Sequence, residues 1–454
     1  MKDRQESDSM GTVTVPGSAW YGAQTERARQ NFAISGRPMD PSYIRTLLLI
    51  KKVAAQVNGA LGELDTSVAD AISGAYTQCV TDAAIAAHFP IDRYQTGSAT
   101  STNMNANEVL AYVARQNSGL KVHPNDHVNM GQSSNDVTPT TLHVSCLIEL
   151  QRHLLPALDH LIVVLEEKAA SLAHITKTGR THLMDALPVR FDQILHAWCG
   201  QIDHARRQIL FTAGEMQELA IGGTAVGTGV NCHKDFARLV AEGLHTETGI
   251  EFRASPHPFE LIGAQDRAVA LSGAFNTLSV ALMKIANDLR WMNSGPNAGL
   301  GEITLEALQP GSSIMPGKVN PVVPEAVAMV AAQTMGLHTS NTIAGQSGNF
   351  ELNVMLPLLA NNLLEAQTLL SGACSALADK AIATFVVNEE RVTDQLGRNP
   401  ILVTALNKEI GYLKAAEIAK KAYKENRPVL DVAAEETDIP RDRLQDLLDP
   451  RHMT

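Results

Sequence analysis

Apolar residues recur every three or four positions in three long stretches of the chain. From Leu271 they step through Phe275, Leu278, Leu282, Ile285 and Leu289. A second series runs Leu154, Leu158, Leu161, Leu165, Ala169 and Leu172. A third runs Leu356, Leu359, Leu363, Ala366, Leu370, Ala373 and Leu377. Steps of three and four draw one stripe along one side of a helix. Each stripe predicts a helix longer than the ordinary globular helix of about three turns. Pro156 and Pro357 lie close to the beginnings of two of these stripes and predict a helix start or a kink there. Alternation at period two is scarce, so the middle of the chain, residues 136–386, reads as a bundle of long helices. Small residues in the same stretches, Ser272-Gly273-Ala274 and Ser371-Gly372-Ala373, allow helices to approach closely. Apolar positions beyond one stripe need partners on several sides, and other subunits can supply them. A monomeric repeat array is the alternative, but no self-similar period is visible.

Residues 1–135 are more mixed, with polar, Gly- and Asn-rich stretches between short helical patterns. Residues 387–454 read as short helices joined by Asn399-Pro400 and Arg427-Pro428. The expectation is therefore an all-α fold in three parts, 1–135, 136–386 and 387–454.

Composition narrows the partners. With 454 residues the chain can bury a core without disulfides or metals. Aromatics are only 4%, which makes the core aliphatic and argues against a stacking platform for nucleic acid. The net charge of −11 leaves no global field to attract polyphosphate or an anionic membrane, so positive potential for an anionic substrate must be local. Five widely spaced cysteines without a C-x-x-C favour a reducing compartment. The polar N-terminus shows no signal peptide, and no uninterrupted apolar run reaches the roughly 18 residues of a membrane span. The expected location is cytoplasmic, with neither nucleic acid nor membrane as a partner.

Five polar clusters interrupt the helical pattern. The first, Thr96 to Glu108, is dense in hydroxyls and amides that can donate to an anion, including Ser98 and Thr100. Alone, it is equally a capping loop that opens a helix. The second holds His123, Asn125, Asp126 and His127, followed by Gln132-Ser133-Ser134-Asn135-Asp136. A zinc reading of the two histidines fails, because Pro124 stands where a regular helix and a Glu are needed. The third is Gly179-Arg180-Thr181-His182. A histidine flanked by a cation and a hydroxyl between two helices is a candidate general acid or base. The fourth, Gly222 to Asn231, lacks the dinucleotide glycine spacing and any preceding strand, and reads as a tight interhelix turn. The fifth is Gly311-Ser312-Ser313-Ile314-Met315-Pro316-Gly317-Lys318-Val319-Asn320-Pro321, with Glu325 following. Its glycine spacing and Val319 exclude a phosphate-binding P-loop. It remains a Gly-bounded loop carrying two serines, a lysine and an asparagine. Together the clusters offer neutral donors plus one Lys, one Arg and one His, which suits a small polycarboxylate.

At these residues the chain resembles the fumarase/aspartase superfamily. The run GSSIMPGKVNP from Gly311 to Pro321 closely matches that superfamily's signature. TGSATSTNMNANEV, HPNDHVN with QSSND, GRTH and GGTAVGTGVN occur in the superfamily's order. Gly317, Ser134 and the Asn349-Phe350-Glu351-Leu352-Asn353 run are similar to class II fumarate hydratases. Val322-Val323-Pro324-Glu325 is closer to the aspartase continuation.

The resemblance implies an all-α fold with five long central helices per subunit. It implies a homotetramer with a twenty-helix core and active sites shared by three subunits. It also implies a metal-independent, cofactor-free hydration of fumarate to L-malate. Aspartate ammonia-lyase chemistry on a related C4 dicarboxylate, or a non-catalytic structural role, are the alternatives.

The implied catalytic residues are Ser312 as proton-abstracting base, His182 on the hydroxyl side with Glu325 as its partner, and Lys318 on the carboxylate that takes the charge. Ser98, Thr100, Ser133, Ser134, Asn135, Thr181, Ser313 and Asn320 are the implied substrate binders. A second dicarboxylate site is implied at His123, Asn125 and Asp126. There Leu120 stands where several relatives carry Arg, and Met130-Gly131 is a second departure.

Overall fold

A computed structural model describes residues 2–454. It is all-α apart from small hairpins and two-residue strand pairs. Strands β1 (Arg4–Asp8) and β2 (Gly11–Val15) form an antiparallel hairpin. Helices α1 (Ala23–Asn31), α2 (Pro41–Leu61), α3 (Thr66–Thr81), α4 (Thr100–Ser118) and α5 (Ser134–Glu149) follow. Next come α6 (Leu155–Leu172), strands β3 (Thr176–Thr181) and β4 (Met184–Arg190), and helices α7 (Phe191–Glu215), α8 (Phe236–Thr248) and α9 (Pro258–Gly263). Helices α10 (Asp266–Met292), α11 (Val322–Gly345) and α12 (Leu356–Leu377) complete the long elements, and short helices occupy 389–447.

The predicted stripes are all helical. Leu271, Phe275, Leu278, Leu282, Ile285 and Leu289 are buried along the 27-residue α10. The third stripe lies in α12, with Pro357 in its first turn, where a missing N–H costs nothing. The second stripe begins in a π turn, Leu150–Leu154, that joins α5 to α6. Pro156 explains it: the ring removes the N–H that would bond the carbonyl four residues back, and the wider turn absorbs the mismatch. By length and composition α10 could cross a membrane, but its apolar stripe is buried in protein.

The chain divides into two compact units. One comprises Met1–Pro156, Arg207–Thr277 and Gln333–Ser371. In it α2 begins at Asp40, whose carboxylate accepts from the Ser42 N–H at 2.8 Å, and ends at Gly62 in a left-handed conformation. Helix α5 opens on a capping box: Ser133 accepts from the Asn135 N–H, and Asp136 accepts from the Ser133 N–H. The other unit comprises Ala157–Arg206, Leu278–Ala332 and Gly372–Thr454. Its C-terminal helices enclose their own core of Leu406, Ile418, Val432 and Leu444.

The β3–β4 hairpin is absent from the sequence reading, which expected only a segment between helices. Its two-residue loop is His182-Leu183, with both residues at positive φ, 55° and 61°. Such loops favour Asn-Gly, so the sequence carries no turn signal here.

Several large apolar side chains on the long helices face outward. Phe211 on α7, Val280 and Trp291 on α10, and Met329 and Ile343 on α11 are exposed.

Candidate active site

The signature loop lies in the second unit and is closed at its neck. The Gly311 N–H donates to the Lys318 carbonyl at 2.8 Å, and Asn320 Nδ2 donates to the Gly311 carbonyl at 2.7 Å. A Cβ at Gly311 would stand 2.6 Å from the Lys318 oxygen, so only glycine closes the neck this way. Inside the loop, Ser312 Oγ accepts from the Ile314 and Met315 N–H groups at 3.3 and 3.2 Å. Two backbone donors aimed at one hydroxyl oxygen favour negative charge there. Ser313 and Lys318 are exposed, and the Lys318 ammonium forms no ion pair among the described residues. Glu325 lies in the first turn of α11. Lys318, Asn320 and Glu325 line a cleft of about 760 Å³ with Arg290 and Trp291.

His182 and Thr181 lie at the tip of the β3–β4 hairpin, both exposed. His182 holds φ 55° and Leu183 φ 61°, a conformation that L residues avoid. The hairpin is anchored from below. The Glu302 carboxylate, 1% exposed, accepts from Lys177 Nζ at 2.7 Å and Arg180 Nη2 at 2.6 Å. Burial pushes the Glu302 pKa up, but the Arg180 hydrogen bond and the Lys177 charge outweigh it and hold the carboxyl below its usual range. His182 lines a second cleft of about 530 Å³, and Trp291 borders both clefts. Within one chain no hydrogen bond joins His182 to Glu325 among the described residues.

Five of the neutral donors, Ser98, Thr100, Ser133, Ser134 and Asn135, lie in the first unit. Ser98 Oγ and Thr100 Oγ1 are 2.8 Å apart where α4 begins. The turn before them packs so closely that a Cβ at Gly97 would collide with the Val354 carbonyl. Asn103 Nδ2 reaches from α4 to Ser134 Oγ at 3.2 Å, and Asn135 Nδ2 donates to the Ala225 carbonyl at 2.8 Å. The first, second and fourth polar clusters of the sequence thus meet at the N-terminus of α5. Asp136 fastens the junction: it accepts from the backbone N–H groups of Ser133, Gly222 and Thr224 at 2.8, 3.0 and 2.8 Å. Burial pushes its carboxyl up to about 6 despite those donors.

Beneath this junction lies Lys51 of α2, which sequence reasoning missed. Its ammonium is buried, and burial lowers its pKa to about 7. The surrounding run Leu47-Leu48-Leu49-Ile50-Lys51-Lys52-Val53 gave no hint that one of the two lysines points inward. Lys52 is the surface partner, paired with Glu247 at 2.7 Å.

His123, Asn125 and Asp126 sit on the π turn Pro124–Val128, where His123 Nδ1 accepts from the Asp126 N–H at 3.2 Å. His123 and Asn125 line a cleft of about 410 Å³ with Tyr112, Arg4 and Arg115, and the two arginines bring cations that the exposed Leu120 does not. Among the described residues no group of three His, Cys, Asp or Glu could hold a metal ion.

The chain is similar to known proteins over nearly its whole length. A family model described as "Lyase" matches residues 11–336, and one described as "Fumarase C C-terminus" matches residues 402–454. A fumarate hydratase class II of Pseudomonas aeruginosa is 56% identical over 99% of this chain and 98% of its own length. A fumarate hydratase class II of Xylella fastidiosa is likewise 56% identical, over 99% and 95%. The crystal structure of a class II fumarase from Schistosoma mansoni superposes with a TM-score of 0.96 at 37% identity, covering 100% of this chain and 99% of the other. With the signature loop, the junction and these likenesses together, the chain belongs to the class II fumarate hydratase family.

Proposed function

We propose that the protein hydrates fumarate reversibly to L-malate by anti addition of water. The observation that carries this reading is Ser312 Oγ held under two backbone N–H groups on a loop closed at its neck. In the malate direction a base removes a proton from the carbon beside one carboxylate, and the electron pair moves into that carboxylate as a doubly charged aci-form. Ser312 takes the proton as an alkoxide, which its backbone donors and the Lys318 ammonium stabilise. Lys318, Asn320 and Ser313 hold the carboxylate that receives the charge. His182 protonates the departing hydroxyl, or activates water in the other direction, with Glu325 as its partner. Ser98, Thr100, Thr181, Ser133, Ser134 and Asn135 bind the carboxylates as neutral donors.

We further propose a homotetramer in which each active site draws loops from three copies. The outward apolar side chains Phe211, Val280, Met329 and Ile343 support it, since isolated helices leave such residues exposed only at a cost. His182 and Glu325 then pair between copies. The three-part division at 135 and 386, a second dicarboxylate site at His123, Asn125 and Asp126, and a cytoplasmic setting for the five free thiols belong to the same reading.

The test is the purified full-length protein assayed with chelator present on malate, fumarate and aspartate. Fumarate forms from malate and not from aspartate if the reading holds. Ser312→Ala is expected to fold as wild type and to lose roughly 10²–10⁴-fold in turnover. Near-normal activity in that variant defeats the base assignment.

A further inference from the structure

Lys51 poses a problem that the reaction as described does not solve. Its side chain has no solvent exposure, yet no carboxylate lies within ion-pair distance among the described residues. Its partner is neutral: Nζ donates to Asn129 Oδ1 at 2.8 Å. That oxygen also receives the Asn103 and Asn107 side-chain amides, each at 3.2 Å. Asn103 Nδ2 in turn donates to Ser134 Oγ at 3.2 Å. A chain of hydrogen bonds therefore runs from the buried ammonium to the N-terminus of α5. An oxygen that accepts from Asn103 keeps its own proton free to point away, as a donor.

Asp136 makes the ammonium's position meaningful. It occupies the third position of α5, immediately behind Ser133, Ser134 and Asn135. Its carboxylate is held by three backbone N–H groups and not by Lys51. A negative charge there repels a dianion arriving at the same helix end. A buried cation close by cancels that repulsion, and in a low-dielectric interior its field reaches further than in water.

We propose that Lys51 is a positioning residue for the dicarboxylate: its buried ammonium offsets the Asp136 charge and, through Asn129 and Asn103, holds Ser134 as a donor toward one substrate carboxylate. This rests on the reading of Ser133, Ser134 and Asn135 as carboxylate binders. Lys51 itself touches no substrate. Its lowered pKa fits, because a cation held by neutral partners gains from an arriving dianion.

The test uses full-length Lys51→Met, which keeps an unbranched side chain one heavy atom shorter and removes its charge. KM for fumarate is expected to rise roughly 10- to 50-fold, with kcat within about threefold of wild type and an unchanged or higher melting temperature. The dissociation constant of succinate, an unreactive C4 dicarboxylate, is expected to rise by the same factor. It is read on both proteins whether or not fumarate turns over, so failure of the hydratase reading stays distinct from failure of this one. Adding Asp136→Asn to Lys51→Met is expected to recover part of the lost affinity. A folded Lys51→Met with unchanged KM and succinate affinity overturns the proposal. If Lys51→Met does not fold, the double variant is compared with Asp136→Asn, and equal succinate affinity overturns it. Failure of both Lys51 variants to fold also overturns it, since Lys51 is then a purely structural group.

Discussion

Glu302 and Asp136 are both buried carboxylates near cations, yet they are satisfied in opposite ways. Glu302 closes two ion pairs, with Lys177 and Arg180, and its pKa is held down. Asp136 takes backbone N–H groups instead, and its pKa is raised to about 6, while the nearby Lys51 leans on an amide oxygen and is lowered to about 7. The first arrangement is a closed triad with little field left over. It fixes β3, and through β3 the strained turn that presents His182. The second leaves a cation and an anion each without a direct counter-ion, behind a helix end rich in hydroxyls. A fully paired buried charge serves as an anchor. One left with neutral partners remains sensitive to whatever charge arrives next.

The largest effect that separates the two networks is on stability at Glu302. Glu302→Gln strands Lys177 as a buried cation and leaves the half-buried Arg180 without its carboxylate, so a loss of about 3 kcal/mol is expected. The sign with pH follows from the depressed carboxyl. Its contribution is fully present above the ordinary value of 4.5 and disappears as pH falls through the lower folded value. The gap in melting temperature between wild type and Glu302→Gln is therefore wide at neutral pH and closes in acid. A variant that melts with wild type at pH 7 shows the triad to be no anchor, and the contrast with Asp136 fails.

The sequence made some of this visible and concealed the rest for physical reasons. The stripes through Leu271–Leu289 and Leu356–Leu377 were legible because each long helix must bury one continuous side. The loop at Ser312 was legible because glycines and Pro316 break the helical pattern on both sides of reactive residue types. The β3–β4 hairpin was hidden because His182 and Leu183 occupy positions where Asn and Gly are favoured; strain held by the fold leaves no signal in local propensity. Lys51 was hidden because it is adjacent to Lys52, and two neighbouring lysines read as one solvated face. Only the packing of α2 against α4 and α5 reveals that one of them is inside. Glu302 was hidden because its partners lie more than a hundred residues away.

The smaller effect has the opposite sign and belongs to Lys51. The folded pKa of about 7 lies below the ordinary 10.5, so the fold disfavours the ammonium. Asp136 on α5, which packs against α2, opposes that effect of burial. The cost of burying the cation is fully present below pH 7 and fades as pH rises from 7 toward 10.5. Lys51→Met carries no such cost, although it loses the hydrogen bond to Asn129. Net, it is expected to be about 1–2 kcal/mol more stable than wild type near pH 6, with the advantage shrinking toward pH 10. Thermal melts of both proteins across that range decide the matter. If Lys51→Met is less stable than wild type at pH 6, Lys51 is an anchor like Lys177, and the two networks differ in geometry alone. If it is more stable and binds succinate more weakly, the chain keeps a destabilising cation where an anion must be received.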